Sequence, residues 1–283
     1  GEFGHSNRNK FMKKNLFKSF VLLTFFLFCL SITPAQSTNV RSNSEKPYVP
    51  GEIFTYEGKF SKAILRGLAI ADLIFTVDRA PDGENFLVKS EAKSKGSLAK
   101  LLRFTFLQQL ESTVSSKNFD ILKSIKHDVQ NDRVRDSEAI FDYAEKQVTY
   151  IEIDPKDTMR PPRKVASQIE AGTQDFISGL FLLRTFPLAV GKTFELTVSD
   201  TGLIYKIPVR VTKREQQKTI FGKVWCFRVE PEVFGANRLI DQEGSMIIWI
   251  TDDAKRVPVR SQINAKIGRV EIKLQSYNFK PQA

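Results

Sequence analysis

From Gly51 to Phe279, apolar and polar residues alternate with a period of two in segment after segment, and this repeat constrains the fold more than any other feature. Successive side chains of a strand point to opposite faces, so a period of two predicts half-buried strands. Phe54, Tyr56, Gly58 and Phe60 share one side of a first strand; Ala69, Ala71, Leu73, Phe75 and Val77 share one side of a second. Ala80-Pro81-Asp82-Gly83 between that strand and the next is a turn signal. The connections up to Ile153 are short, which forces neighbouring strands to pair as antiparallel hairpins.

Two stretches break the pattern. Asp154 to Glu170 holds three prolines among basic residues and reads as a long mobile loop. Asp175 to Arg184 places Phe176, Ile177, Leu180, Phe181 and Leu183 at helical spacing, with Thr173 available as its cap. Leu182 lies off that stripe, so this helix is apolar nearly all round and is expected to be buried. Strands then resume. The last of them shifts its apolar phase between Leu274 and Tyr277, which predicts a bulge. The expected fold is all-β and mainly antiparallel: a large curved sheet, or an open or closed barrel, of about ten to twelve strands with one apolar helix against it. The alternation of strand and helix that Rossmann and α/β-barrel enzymes require is absent.

Ahead of this domain, Met12 is followed by Lys13 and Lys14, an apolar run from Phe20 to Leu30, and Thr33-Pro34-Ala35. That is the layout of a secretory signal, with a core too short for the roughly twenty residues of a membrane-spanning helix. The reading is a tag or misassigned start over 1–11, a signal peptide over 12–35 cut after Ala35, a flexible leader over 36–50 and one β domain over 51–280. Phe28 before Cys29 argues against a lipoprotein. The expected location is the periplasm. Past the cleavage point the single cysteine is Cys226, so no internal disulfide forms and stability must come from a buried core.

The formal charge is +11. Outside the cytoplasm a basic protein meets anionic lipid headgroups or envelope polymers rather than nucleic acid. Over Lys93 to Leu107, Lys93, Lys95, Lys100 and Arg103 interleave with Leu98, Leu101, Leu102, Phe104 and Phe106, a segment that suits an anionic membrane surface or a crossing over the sheet. Arg160, Arg163 and Lys164 of the loop are the second candidate contact region for membrane or partner protein.

Three motifs are familiar together. Gly51-Glu52-Ile53-Phe54-Thr55-Tyr56, the segment Asp175 to Arg184 followed by Leu188 and Gly191, and Ile248-Trp249-Ile250-Thr251-Asp252-Asp253 with Arg256-Val257-Pro258-Val259 resemble the bacterial exported family DUF3108. The resemblance spans about Gly51 to Phe279 and implies an exported antiparallel β domain without an assigned reaction. A curved sheet holding an apolar helix is also similar to the periplasmic lipoprotein carriers of the Lol system, an analogy of fold alone.

No motif specifies catalysis, a metal or a cofactor. Ser178 lacks a Gly-x-Ser-x-Gly elbow, and the histidine nearest to a base for it is His127, in a distant strand. Asp252 and Asp253 are adjacent and suit a turn, with Asp252 bonding its own backbone. Arg184 ends the apolar helix, where it either pairs with a buried acid such as Glu52 or Asp252 or holds an anionic headgroup. The leading expectation is therefore a non-enzymatic protein that takes a lipid or acyl chain, lined by Phe176, Leu180, Phe181 and Leu183 with Arg184 at the mouth. Alternatives are an envelope scaffold acting through surface contacts and a hydrolase acting through Ser178.

Overall fold

The computed structural model describes residues 46–280 apart from 98, 99, 101 and 102. The start region, the signal peptide, most of the leader, and Leu98, Leu101 and Leu102 of the basic segment lie outside the described residues.

Among the described residues one sheet of fourteen strands forms, more than the ten to twelve expected. Its first run is β1 (Glu52–Lys62), β2 (Leu65–Arg79), β3 (Phe86–Ser94), β4 (Phe106–Val114), β5 (Ile121–Gln130), β6 (Arg133–Asp142), β7 (Gln147–Ile153) and β8 (Arg163–Gln168). The second is β9 (Thr193–Asp200), β10 (Leu203–Thr219), β11 (Gly222–Pro231), β12 (Gly244–Thr251), β13 (Pro258–Ala265) and β14 (Gly268–Phe279). Strand β8 lies inside the stretch expected to be a mobile loop. It is an edge strand, exposed along most of its length, so no buried face imposes a period of two on its sequence.

Every strand lies beside its neighbour in sequence except at one place. The spatial order is β8-β7-β6-β5-β4-β3-β2-β1-β14-β13-β12-β11-β10-β9, so β1 pairs with β14 while β8 and β9 are the two edges. The expected bulge is present: Tyr56 faces Leu274 and Thr55 faces Ser276, leaving Gln275 unpaired in register.

The two edges approach without a shared ladder. Ser167 of β8 donates its hydroxyl to the carbonyl of Gly202, between β9 and β10, at 2.6 Å. Beyond β8 the chain crosses to β9, where Gln174 forms an isolated parallel bridge with Val198. The edges are thus covered, which protects them from pairing with other chains. Gly202 has a φ of +82°, and a Cβ there would lie 2.7 Å from that of Tyr150 and 2.8 Å from that of Val165. The Gly202→Ala variant is expected to lose on the order of 1–3 kcal/mol through overpacking of this seam, measured as a lower urea midpoint at unchanged slope.

In the sequence between the two edges stand helix α1 (Phe176–Leu182) and a 3-10 turn over Leu183–Thr185. The helix is shorter than the expected 175–184, and Asp175 rather than Thr173 caps it. Asp175 Oδ1 accepts from the Ser178 amide at 2.7 Å and the Ser178 hydroxyl accepts from the Asp175 amide at 3.1 Å, a reciprocal capping box. The Ser112 hydroxyl of β4 donates to the other oxygen of Asp175, fixing the helix start against the sheet. Gly179 permits close approach on the opposite side, since a Cβ there would stand 2.9 Å from Leu196 Cδ2.

The helix packs on the concave face. Leu182 and Leu183 join Leu196, Val198, Ile207, Val209, Val229 and Ile250 in one cluster, while Phe181 meets Phe54, Val77, Val88 and Val114 in another. These residues lie near the starts of β1 and β3 and the ends of β2 and β4, so the helix occupies one end of the sheet. Tyr48, expected in a flexible leader, is part of this core at 0% exposure. Its ring stacks on Phe181 at 5.7 Å and its hydroxyl donates to the Ser178 carbonyl at 3.0 Å.

Candidate functional site

Arg184 is held from all sides at the helix end of the sheet. Nη1 and Nη2 reach the two oxygens of Glu52 at 2.7 and 2.9 Å, a bidentate pair that is almost wholly buried. Nη1 also donates to the Pro47 carbonyl at 3.0 Å, and Nε and Nη2 donate to the Lys255 carbonyl at 3.1 and 2.9 Å. A guanidinium has five N–H donors, and five bonds use them. Of the two acids open to Arg184 in the sequence, the structure selects Glu52; Asp252 pairs instead with Arg214 at 2.6 Å. It is Asp253 that makes the turn, accepting from the amides of Lys255 and Arg256. Above the Arg184–Glu52 pair is an open cleft of about 440 Å³ bounded by Lys46, Lys255, Tyr277 and Phe279. Burial and the charge of Glu52 push the Tyr277 phenol up to about 12, so it remains a neutral donor to Glu52 Oε1 at 2.9 Å.

Of the expected lining residues, Phe181 and Leu183 are core, and Leu183 belongs to the 3-10 turn rather than the helix. Phe176 and Leu180 stay half-buried, one turn apart on the helix. The helix thus fills its own end of the concave face. Ser178 and His127 do not meet: the buried Ser178 hydroxyl donates to Asp175 Oδ1 at 2.9 Å, while His127 Nδ1 stands 2.5 Å from Asp136. His127 alternates with Lys126, and Lys126 shares the concave face with Ser112 and Ser124, so His127 points to the opposite face. Cys226 is buried, and burial raises its thiol to about 12, which fits the expected core role.

Away from the helix the concave face changes character twice. Towards the far ends of the strands it becomes half-exposed, as at Leu73, Ala92, Leu110, Ile263 and Ile272. Across the sheet, rows of directly opposed residues switch from apolar to charged. Met246, Ile263, Val270, Phe60 and Leu68 form one row over β12, β13, β14, β1 and β2. On β3 to β8, rows that continue from Leu73 and Phe75 of β2 run Ala92, Gln108, Asp128, Arg135 and Ser90, Leu110, Lys126, Ser137, Glu152, Arg163. One wall of this cup is greasy and the other is ionic.

The ionic wall is mostly self-paired. Arg133 meets Asp128 at 3.1 Å, Arg135 pairs with Asp154, and the Tyr150 hydroxyl donates to Glu152 at 3.0 Å. Lys126 and Arg163 face Asp200, whose carboxyl burial holds above the ordinary range against the pull of those two cations. A carboxyl raised in the folded state contributes its full stability below the unfolded pKa and loses it as pH rises through the folded one. Asp200→Asn is therefore expected to raise Tm at neutral pH and to leave Tm near pH 4 unchanged, checked by thermal melts at the two values.

The basic residues expected to make surface contacts separate into two groups. Lys95 is committed to Glu57 at 2.7 Å and Asp72 at 3.0 Å, and Lys164 stands opposite Ile151, whose side chain is on the outer face. Lys100, Arg103, Arg160, Arg163 and Lys164 itself are exposed. Among the described residues no helix is long and apolar enough to cross a membrane, and no group of three or more His, Cys, Asp or Glu side chains is placed to hold a metal ion.

Similar architecture occurs in solved structures. A β-barrel-like protein of the domain of unknown function DUF1849 from Brucella abortus aligns with a TM-score of 0.56 at 11% identity, over 83% of this chain and 100% of that one. The hypothetical protein CT021 from Chlamydia trachomatis aligns at 9% identity over 83% and 90%, with a TM-score of 0.35. A protein of YmcC-like fold from Bacteroides fragilis aligns at 11% identity over 82% and 97%, with a TM-score of 0.31. At such identities only the first likeness carries weight, and it concerns the fold: a barrel-like antiparallel sheet. No curated protein matches the sequence. The model of a protein family of unknown function covers residues 55–275, from the strand that opens the sheet to the one that closes on it, and the chain belongs to that family, DUF3108.

Proposed function

We propose that this chain is an exported, non-enzymatic protein whose concave face binds an amphipathic, lipid-like molecule at the end away from the helix. The observation that carries the reading is the two-walled cup: an apolar row from Met246 to Leu68 and an ionic wall centred on Lys126 and Arg163, with Ile263, Val270, Leu68, Lys126 and Arg163 within reach of solvent. An acyl chain on the first wall and a polar headgroup on the second satisfies both surfaces, as a purely apolar or purely polar ligand does not. The helix is the roof of the cup, with Phe176 and Leu180 as its half-buried apolar part. Export rests on the signal-like segment from Met12 to Ala35.

The test is native mass spectrometry, with lipid extraction, of protein purified from its own envelope. A bound lipid of defined mass is expected. Delipidated protein that takes up neither a fluorescent fatty acid nor a fluorescent phospholipid overturns the reading.

A second reading draws on the outer face. Ile125, Ile140, Ile151 and Ile153 of β5 to β7 are each at least one-third exposed, an apolar set that fits an envelope scaffold recruiting a protein partner. Substituting Ile125, Ile140 and Ile151 with serine removes such a partner in pull-downs and leaves lipid uptake intact.

A further inference from the structure

The ionic wall of the cup holds two cations that its carboxylates leave free. Arg133 is bound to Asp128, and Arg135 to Asp154 and, at 3.9 Å, to Glu152. Glu152 stands directly opposite Arg163 in the ladder, yet it accepts from the Tyr150 hydroxyl instead. Among the described residues Lys126 and Arg163 form no ion pair with these acids. Both belong to the row of the concave face that also holds Ser137 and Glu152. The Arg163 guanidinium lies 5.7 Å from the centre of the Tyr150 ring, and Tyr150 packs against Gly202, two residues beyond Asp200. Lys126 is one row in from Ser124, which stands opposite Ser112 where the helix starts. Both cations therefore reach towards Asp200, and both pull on its carboxyl, which burial holds above the ordinary range. Asp175 faces Asp200 as well, but its oxygens are taken by Ser112 and Ser178.

We propose that Lys126 and Arg163 select an amphiphile whose headgroup is an anion, a phosphate or a carboxylate, and that Asp200 is the internal anion with which this headgroup competes. The inference rests on the concave-face reading and adds the sign of the headgroup's charge. Two cations facing one carboxyl leave a positive charge that a single anion balances. Lysine supplies a mobile point charge and arginine a planar fork of donors, the combination that holds phosphate or carboxylate oxygens. A cationic headgroup has no such welcome here, because Asp128, Glu152 and Asp154 already have partners. In the same row, half-buried Phe75 and Leu110 lead from β2 to Lys126. An acyl chain on the apolar wall thus runs towards the two cations.

The test is isothermal titration calorimetry, at mildly alkaline pH, of the chain from Gln36 onward, which contains the whole sheet. The probes are decyl phosphate, decanol and decyltrimethylammonium, which share one chain and differ in charge, and inorganic phosphate. Decyl phosphate is expected to bind about tenfold or more tighter than the other two amphiphiles, and inorganic phosphate far more weakly than decyl phosphate. Lys126→Gln and Arg163→Gln are each expected to weaken decyl phosphate about tenfold and to leave decanol unchanged. Lys123→Gln makes the same charge change on the outer face of β5 and leaves decyl phosphate binding at the parent's level. Asp200→Asn removes the competing carboxylate and is expected to tighten decyl phosphate about threefold or more. Equal binding of decyl phosphate and decanol overturns the inference and leaves the concave-face reading standing. So do Lys126 and Arg163 variants that bind like the parent, or an Asp200 variant that binds more weakly. Inorganic phosphate that binds as tightly as decyl phosphate would assign the two cations to a free anion and overturn the lipid reading. No binding of any probe overturns both.

Discussion

Replacing Arg184 with alanine is expected to destabilise the fold by about 3–5 kcal/mol, because it leaves the Glu52 carboxylate buried without a counter-charge. Arg184 is 3% exposed and Glu52 1%, so little water screens the pair. The same change frees the carbonyls of Pro47 and Lys255, which Arg184 ties to the start of β1 and to the β12–β13 connection. Glu52→Ala is expected to cost a similar amount. Joint replacement of both residues by leucine and methionine is expected to recover part of the loss, since two matched apolar side chains bury no charge. Urea denaturation of the parent, the two alanine variants and the variant that combines both alanines closes a double-mutant cycle. Additive losses in the single and double variants would mean that the pair is not coupled, contrary to its bidentate geometry. Lysine at 184 is a poor replacement, because its point charge does not supply the planar fork that engages both oxygens of Glu52.

Tyr48→Ala is the second large effect, expected at about 3–5 kcal/mol by analogy with other buried aromatic truncations. Tyr48 is wholly buried among Phe86, Phe119 and Phe181, with ring centroids 5.5, 6.1 and 5.7 Å away. Removing it opens a cavity where the helix meets β3. Tyr48→Phe keeps the ring and loses the hydroxyl's bonds to the Ser178 carbonyl and to Gln174 Oε1, with an expected cost of about 1 kcal/mol. Thermal melts distinguish the two variants: a small, uniform drop for Phe and a large one for Ala. Proteolysis reports the same difference, because loosening Tyr48 releases the chain ahead of β1. Comparable melts for both variants would place the contribution of Tyr48 in its hydroxyl, against the stacking geometry.

These two predictions fall on residues that the sequence presented unequally. Arg184 stood out because a cation at the end of an all-apolar helix needs a partner, and Glu52 was one of two acids named for it. The choice between Glu52 and Asp252 depended on which connection folds back over the helix, which no local pattern encodes. Tyr48 carried no signal at all. It lies among Asn, Ser and Pro residues without periodicity, and only its insertion between the helix and β3 makes it core.

The strands themselves were largely legible, because a sheet with one buried face imposes a period of two on its sequence. Exceptions follow the same rule. Strand β8 is an edge with little buried surface, so Arg163 to Gln168 reads as a loop. The extent of the helix was overestimated at its C-terminal end, where Leu183 to Thr185 tighten into a 3-10 turn so that Arg184 reaches Glu52. The proposed binding face was the least legible part. The sequence pointed to the helix, of which Phe181 and Leu183 are core while Phe176 and Leu180 stay half-buried, whereas the amphipathic cup is assembled from residues that are ordinary one strand at a time. Lys126 and Phe60 each obey their own alternation; only the register over the sheet sets one wall against the other.

Periodicity and composition alone determined an antiparallel β protein with one buried helix, a core free of disulfides and a basic surface, because each is a statement about local burial or summed charge. Tertiary structure decided the rest. Pairing of β1 with β14, the meeting of β8 with the β9–β10 turn across Gly202, and the partner of Arg184 all join residues far apart in the chain. Such contacts depend on how the strands register and how the sheet curves back on itself, and a residue's own neighbours in sequence hold no record of them.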